Sequence, residues 1–155
     1  IHIALDSYRR NINSNLVVIS NWNISDYGKN LFEKYHNGYS NILLLNSIYD
    51  VKILNAIRSN CRFYIHTHSL CGTAPSLVEA MYLGLPVISF DVPTNRKTTK
   101  YKSVYFKNSQ DLSEIINGKN SINIEKLGND MKRIAHYSYN WKRISDIYKS
   151  CLKKN

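Results

Sequence analysis

Short apolar runs alternate with amphipathic stretches along most of the chain. The runs at 16–19 (LVVI), 42–45 (ILLL), 61–66 (CRFYIH) and 87–90 (VISF) are strand-sized, and 104–106 (VYF) is a shorter fifth. Within them apolar residues follow one another instead of alternating with polar ones, the pattern of parallel strands covered on both faces. Helical spacing fills the intervals. Over 1–10, Ile1, Ala4, Leu5 and Tyr8 share a face, and over 26–36 Tyr27, Leu31 and Tyr35 do, behind Ser25 as N-cap. A helix over 50–59 starts near Asp50 and offers Ile53, Leu54 and Ile57 as its core face. A helix over 75–83 opens on Pro75 and is stopped by Gly84. Three closing helices are predicted over 109–117, 123–137 and 139–153.

Helix and strand in alternation predict an α/β fold, a Rossmann-like open parallel sheet with helices on both faces and closing C-terminal helices. Such sheets bind ligands at the carboxyl ends of their strands. The loops at 20–25, 46–50, 67–74 and 91–99 are therefore the places for chemistry.

The 155 residues suit one domain, with 43% hydrophobic and 21% charged residues, three Pro and six Gly. This excludes disordered, collagen-like and linker-dominated chains. No apolar run is long enough to span a membrane as a helix. The three cysteines, Cys61, Cys71 and Cys151, are widely spaced, with no CxxC and no zinc-ligand spacing, so a reducing cytoplasm and no metal are expected.

One loop concentrates the chemistry. Behind the strand ending at His66 comes Thr67-His68-Ser69-Leu70-Cys71-Gly72-Thr73-Ala74, and the helix Pro75-Ser76-Leu77-Val78-Glu79-Ala80-Met81 follows at once. A small-residue loop entering a helix N-terminus presents free amides and the positive end of the helix dipole to an anion. Gly72 permits close backbone approach, and Glu79, one turn in, can accept hydrogen bonds from sugar hydroxyls. The alternative is a tight strand–helix junction with Glu79 a solvated acid.

The string APSLVEAMYLGLPVISFDVP, Ala74 to Pro93, resembles the donor-binding, C-terminal domain of GT-B glycosyltransferases of the glycosyltransferase 4 group. The longer string YIHTHSLCGTAPSLVEAM, with GLPVISFDVPTNRKTT and VYF after it, is similar to the bacterial rhamnosyltransferase-like subgroup. The resemblance runs roughly from Leu16 to Ile116. It implies transfer of a sugar from a nucleoside diphosphate to a lipid-linked or polysaccharide acceptor in bacterial surface-glycan synthesis, with retention at the anomeric carbon. It implies no metal and no other cofactor. By the same resemblance Gly72, Thr73, Ala74 and Ser76 hold the diphosphate, Glu79 the ribose, and Ser47 and Ile48 the base. His68 and Cys71 are the expected donor-sugar contacts; many members have a glutamate where this chain has Cys71, and the subgroup often has a small residue. No residue is singled out as catalytic. Residues 1–155 are then expected to be one nucleotide-sugar-binding domain, lacking its first strand and the N-terminal acceptor domain, and weakly active by itself.

The remaining polar residues leave alternatives open. His66 and His68 lie on one face of the strand end by alternation. Asn95, Arg96 and Lys97 are either ligand-edge residues or a solvated loop, and Asp91 reads as a turn or cap residue. His36 and His136 read as structural or solvated, and Trp22 and Trp141 as packing residues. The formal net charge is +10, and the basic residues gather late: Lys126, Lys132, Arg133, Lys142, Arg143, Lys149, Lys153 and Lys154. In the last helix Trp141, Ile144, Tyr148 and Cys151 form the apolar face. The basic face is either solvated or draws the protein to anionic lipid at the inner membrane face. The rival function is a non-catalytic basic module for nucleic acid or a membrane surface, although no nucleic-acid motif is present.

Overall fold

The computed structural model describes residues 1–119 and 121–152. In chain order the elements are α1 (His2–Arg9), β1 (Leu16–Ile19), a 3-10 turn (Trp22–Ile24), α2 (Asp26–Tyr35), β2 (Ile42–Leu45), α3 (Val51–Ser59), β3 (Tyr64–His66), α4 (Pro75–Tyr82), β4 (Val87–Phe90), α5 (Pro93–Thr98), β5 (Val104–Phe106), α6 (Ser109–Ile116), α7 (Ile124–Ser138) and α8 (Trp141–Leu152). The predicted α/β fold is the one observed: parallel strands flanked by helices, with helices closing the chain. The last basic residues named above, Lys153 and Lys154, lie outside the described residues.

The chain divides into two compact units. The first comprises Ile1–Ile57 and Phe106–Ile122. Its sheet is the parallel pair β1–β2, in register from Leu16 opposite Ile42 to Ile19 opposite Leu45. Helix α1 packs on α6 and β2, and α2 on β2. Ala4, Leu5 and Tyr8 are buried on the predicted face of α1, as are Leu31 and Tyr35 on that of α2, whereas Tyr27 is half exposed. Ser25 caps α2, its Oγ accepting from the Gly28 N–H at 3.1 Å. Trp22 is buried, and its indole N–H donates to the Leu45 carbonyl at 2.8 Å. The Asn41 amide donates to the carbonyls of Tyr8 (2.9 Å), Asn11 (3.0 Å) and Ser14 (3.1 Å), pinning the turn behind α1.

The second unit comprises Arg58–Tyr105 and Asn123–Asn155. Its sheet order is β3-β4-β5, with β3 and β4 parallel from Tyr64 opposite Val87 to His66 opposite Ser89. Helix α4 packs on α7, and α7 on β4. Leu77, Ala80, Met81, Val87, Ile88, Met131 and Ala135 form the core between them, each fully buried. Burying a Leu or Met side chain is worth about 1.5–3 kcal/mol, so this packing sets where the start of α4 stands over the strand ends. The predicted stop at Gly84 is a left-handed turn with φ +73°, a conformation only glycine adopts freely.

Four expectations are corrected. The third strand begins at Tyr64 and not at Cys61. Its partner starts only after Pro86, whose nitrogen has no hydrogen for the ladder, and the Tyr64 N–H closes on the Pro86 carbonyl at 2.9 Å. The stretch after Asp91 is a helix, α5, because Pro93 sets the φ of its first turn. Helix α3 buries none of its residues, and Ile53 is 51% exposed. Helix α8 also buries none, so Trp141 is not a packing residue: it is 83% exposed, as is most of the apolar face it shares with Tyr148 and Cys151. Periodicity says which face is apolar, not whether another element covers it. Among the described residues no helix is long and apolar enough to cross a membrane.

Candidate functional site

The site is built where β3 runs out into the loop 67–74 and the loop enters α4. Alternation sends Tyr64, His66 and His68 to one side. Their rings form a ladder, with centroids 6.2 Å apart from Tyr64 to His66 and 4.9 Å from His66 to His68. The lower rungs are enclosed and the last is open: His66 is 1% exposed, His68 lies at the surface. Burial, reinforced by the neighbouring His68, pulls the His66 pKa down to about 4, so His66 is neutral at pH 7. Burial raises the Tyr64 pKa, opposed by a hydrogen bond with the Ser76 side chain.

Helix α4 starts at Ala74 as N-cap, with Pro75 in its first turn and no side chain capping it. Among the described residues no backbone acceptor takes the N–H of Gly72, Thr73, Ala74 or Ser76. Gly72 and Thr73 are exposed, Ala74 is buried and Ser76 is partly covered. A Cβ built on Gly72 would meet nothing within 4 Å. The protein itself therefore does not require glycine there, and the space beside it is open. The uncapped amides and the helix dipole make this corner attractive to an anion.

Glu79 stands one turn further on. Its carboxylate is 55% exposed, and Oε2 accepts from Arg58 Nη1 at 2.8 Å. Arg58, in the last turn of α3, is itself only 12% exposed. Among the described residues it is the one cation seen paired into this corner, and nothing local in the sequence marks it, because its partner is 21 residues away. Ser47 and Ile48, the expected base contacts, are half-buried in the loop after β2 and belong to the first unit.

The loop is tied from below by Asn95. This residue is 1% exposed, and its amide donates to the carbonyls of His68 and Phe90, each at 3.0 Å. Its Oδ1 accepts from the Cys71 thiol at 3.8 Å. Asn95 is therefore buried and not solvated. Asp91 sits in the tight turn that the Val92 N–H closes on the Phe90 carbonyl at 3.0 Å, as expected, and also pairs with Arg96, which lies over the Tyr105 ring at 4.3 Å. The two outlying histidines are exposed, His36 stacked on Phe32 and His136 edge-on to Tyr82.

One grouping runs against the spacing argument. The ligating atoms of His66, His68 and Cys71 all lie within 4.8 Å of one another. Cys71 Sγ is 3.9 Å from His66 Nε2. No CxxC or paired-histidine spacing announces this, since the loop folds back to bring the thiol over the strand end.

A Rossmann-like parallel sheet with an anion-receptive helix start and a carboxylate one turn beyond is the frame of a nucleotide-binding domain. The chain belongs to the glycosyl transferases group 1, whose family pattern matches residues 1–141. It is similar in structure to Alr3699/HepE from Anabaena. The complex of that protein with UDP matches with a TM-score of 0.81 at 18% identity, over 99% of this chain and 45% of the other. The complex with UDP-glucose matches with a TM-score of 0.78, again at 18% identity. The chain thus spans under half the length of the solved protein it matches, corresponding to the C-terminal half of a GT-B fold. The sequence matches none of the curated proteins.

Proposed function

We propose that this chain is the donor-binding half of a glycosyltransferase that takes a sugar from a nucleoside diphosphate. Gly72, Thr73, Ala74 and Ser76 receive the diphosphate, and Glu79 takes the ribose hydroxyls. His68 and Cys71 border the sugar. The observation that carries this reading is the juxtaposition, at one strand end, of acceptor-free amides, open space beside Gly72 and an exposed carboxylate one helical turn away. The family membership and the UDP and UDP-glucose held by Alr3699/HepE support it.

The leaving group is a dianion. Amides already aimed at it stabilise the charge that grows on it in the transition state without reorganising, so transfer itself needs no metal or other cofactor. The finer reading is a rhamnosyltransferase-like, retaining hexosyl transfer to a lipid-linked or glycan acceptor in bacterial surface-glycan synthesis. The setting is cytoplasmic, at the inner membrane face, where the basic C-terminal helices meet anionic lipid. An N-terminal acceptor domain completes the cleft in this reading.

The deciding experiment is calorimetric titration of UDP, dTDP and the parent nucleosides into the chain and into Glu79→Ala. Diphosphates are expected to bind more tightly than nucleosides, and Glu79→Ala to weaken both. Equal binding of nucleoside and diphosphate would remove the phosphate site from the account. Salt-sensitive oligonucleotide binding with no diphosphate preference would favour a nucleic-acid module instead.

A further inference from the structure

Beyond the proposed diphosphate and ribose contacts, the described residues offer few places for chemistry. The groove between Asn140, just before α8, and Lys142, Arg143 and Asp146 of α8 is shallow and open. The uncovered apolar face of α8 has nothing in the structure to say what lies on it. The cluster at the end of β3 is different, because three side chains from six consecutive positions bring their ligating atoms within 4.8 Å of one another.

We infer that His66, His68 and Cys71 form a three-ligand site for a thiophilic divalent cation of the zinc(II) class, with a fourth position open to water. The donor set is the first argument. Two imidazoles and one thiolate select zinc, cobalt or nickel and discriminate against magnesium and calcium, which want oxygen. Distance is the second. Metal–ligand bonds of about 2.0–2.3 Å in a tetrahedron place neighbouring ligand atoms about 3.5 Å apart. Cys71 Sγ and His66 Nε2 are already at 3.9 Å, and the whole set lies within 4.8 Å. Closing the remainder falls to His68, whose exposed ring is free to turn. The third argument is support: buried Asn95 holds the His68 carbonyl at 3.0 Å and approaches the Cys71 thiol at 3.8 Å, so loop and strand end are fixed relative to each other before any metal arrives. Three protein ligands with an open fourth position is the pattern of an exchangeable or reactive zinc site and not of a closed structural one.

Binding forms a metal–sulfur bond and breaks the thiol S–H, releasing one proton to solvent. This inference does not depend on the proposed sugar transfer, and it gives this loop a ligand besides a nucleotide.

The test is titration of cobalt(II), as a spectroscopic stand-in for zinc, into the reduced full chain. One equivalent is expected to give the visible bands of a tetrahedral site and a thiolate-to-cobalt charge-transfer band. Zinc should abolish both, and excess magnesium should not. Cys71→Ser should lose the charge-transfer band, while Cys61→Ser and Cys151→Ser keep it. His68→Ala, at an exposed position, should weaken zinc binding about tenfold or more while the circular dichroism spectrum stays unchanged. Absence of the charge-transfer band from the unaltered chain, or its survival in Cys71→Ser, would overturn the inference.

Discussion

The Arg58 guanidinium donates to the Glu79 carboxylate at 2.8 Å, joining the last turn of α3 to the first turns of α4. The two ends of this pair differ in burial: Arg58 is 12% exposed and Glu79 55%. The arginine is thus the fixed member and the carboxylate the presented one. If Arg58 acts on the nucleotide by orienting Glu79, the two residues must be coupled in binding. In UDP titrations Arg58→Met and Glu79→Gln should each weaken binding. The double variant should be hardly worse than either alone, a coupling of about 1 kcal/mol or more. Strictly additive losses would mean that Arg58 serves only the fold.

Gly72 gives a cleaner separation of fold from site. A methyl group there meets no protein atom within 4 Å, so Gly72→Ala should leave the unfolding free energy within about 0.5 kcal/mol of the parent. The same methyl occupies the space through which a diphosphate would approach the amides. UDP affinity should fall at least about tenfold, a loss of about 1.4 kcal/mol. Unchanged affinity would place the phosphates elsewhere.

Gly84 and Gly128 meet in the opposite sense, since here the protein fills the space. A Cβ on Gly128 would sit 2.4 Å from the Gly84 carbonyl oxygen, a backbone atom, whereas one on Gly84 would make ordinary contacts, with the Lys132 side chain from 3.6 Å and the Gly128 carbonyl oxygen at 3.9 Å. Gly128→Ala should therefore cost about 1–3 kcal/mol by forcing α7 away from the turn behind α4. Gly84 is needed for its positive φ alone. Gly84→Ala should cost about 1–2 kcal/mol, and Gly84→Asn less, because asparagine tolerates the left-handed region. Urea denaturation of the three variants checks the order; Asn no better than Ala at position 84 would refute the backbone explanation.

These residues also show what the sequence made legible. The strand–loop–helix unit around Thr67–Ala74 could be read because its signals are local: a run of strand residues, small residues, Pro75 at a helix start, Gly84 at its end. The Tyr64–His66–His68 face followed from alternation for its two histidines. Arg58 could not be found that way, because its meaning lies in a partner far along the chain. Cys71 was visible as a substitution for a glutamate, but its approach to His66 depends on how the loop folds back. Asn95 read as part of an open loop until α5 buried it. The apolar faces of α3 and α8 were legible as a spacing, but their lack of cover was not: neither helix buries a residue, and Ile53 is 51% exposed.

Asn41 is the clearest internal support of the first unit. One amide group serves three carbonyls, those of Tyr8, Asn11 and Ser14, and the residue is 7% exposed. Removing a buried donor leaves its acceptors without compensation, the costly side of hydrogen-bond energetics. Asn41→Ala should destabilise the chain by about 2–3 kcal/mol, and amide hydrogen exchange should quicken first in α1 and the turn behind it. Uniform acceleration throughout the chain would argue against a local role.

Tyr35 supplies the pH prediction. Its hydroxyl donates to Asp6 Oδ1 at 2.6 Å, and its ring is 1% exposed. Burial first, then the hydrogen bond and negative charge of Asp6 and the nearby Tyr39, push its pKa up to about 12, with Arg9 acting the other way. In the unfolded chain the same phenol titrates near ~10. The folded state therefore holds this proton more tightly than the unfolded one. Its contribution to stability is complete below pH ~10 and is lost as the pH rises toward the folded value, because the unfolded chain then binds fewer protons. In Tyr35→Phe neither the hydrogen bond nor this titration exists. Denaturation midpoints at pH 7, 9 and 11 should show the parent ahead of Tyr35→Phe by a constant margin at the first two and by a visibly smaller one at the third. A margin that did not shrink at pH 11 would mean that the Tyr35 proton is held no more tightly in the folded chain than in the unfolded one.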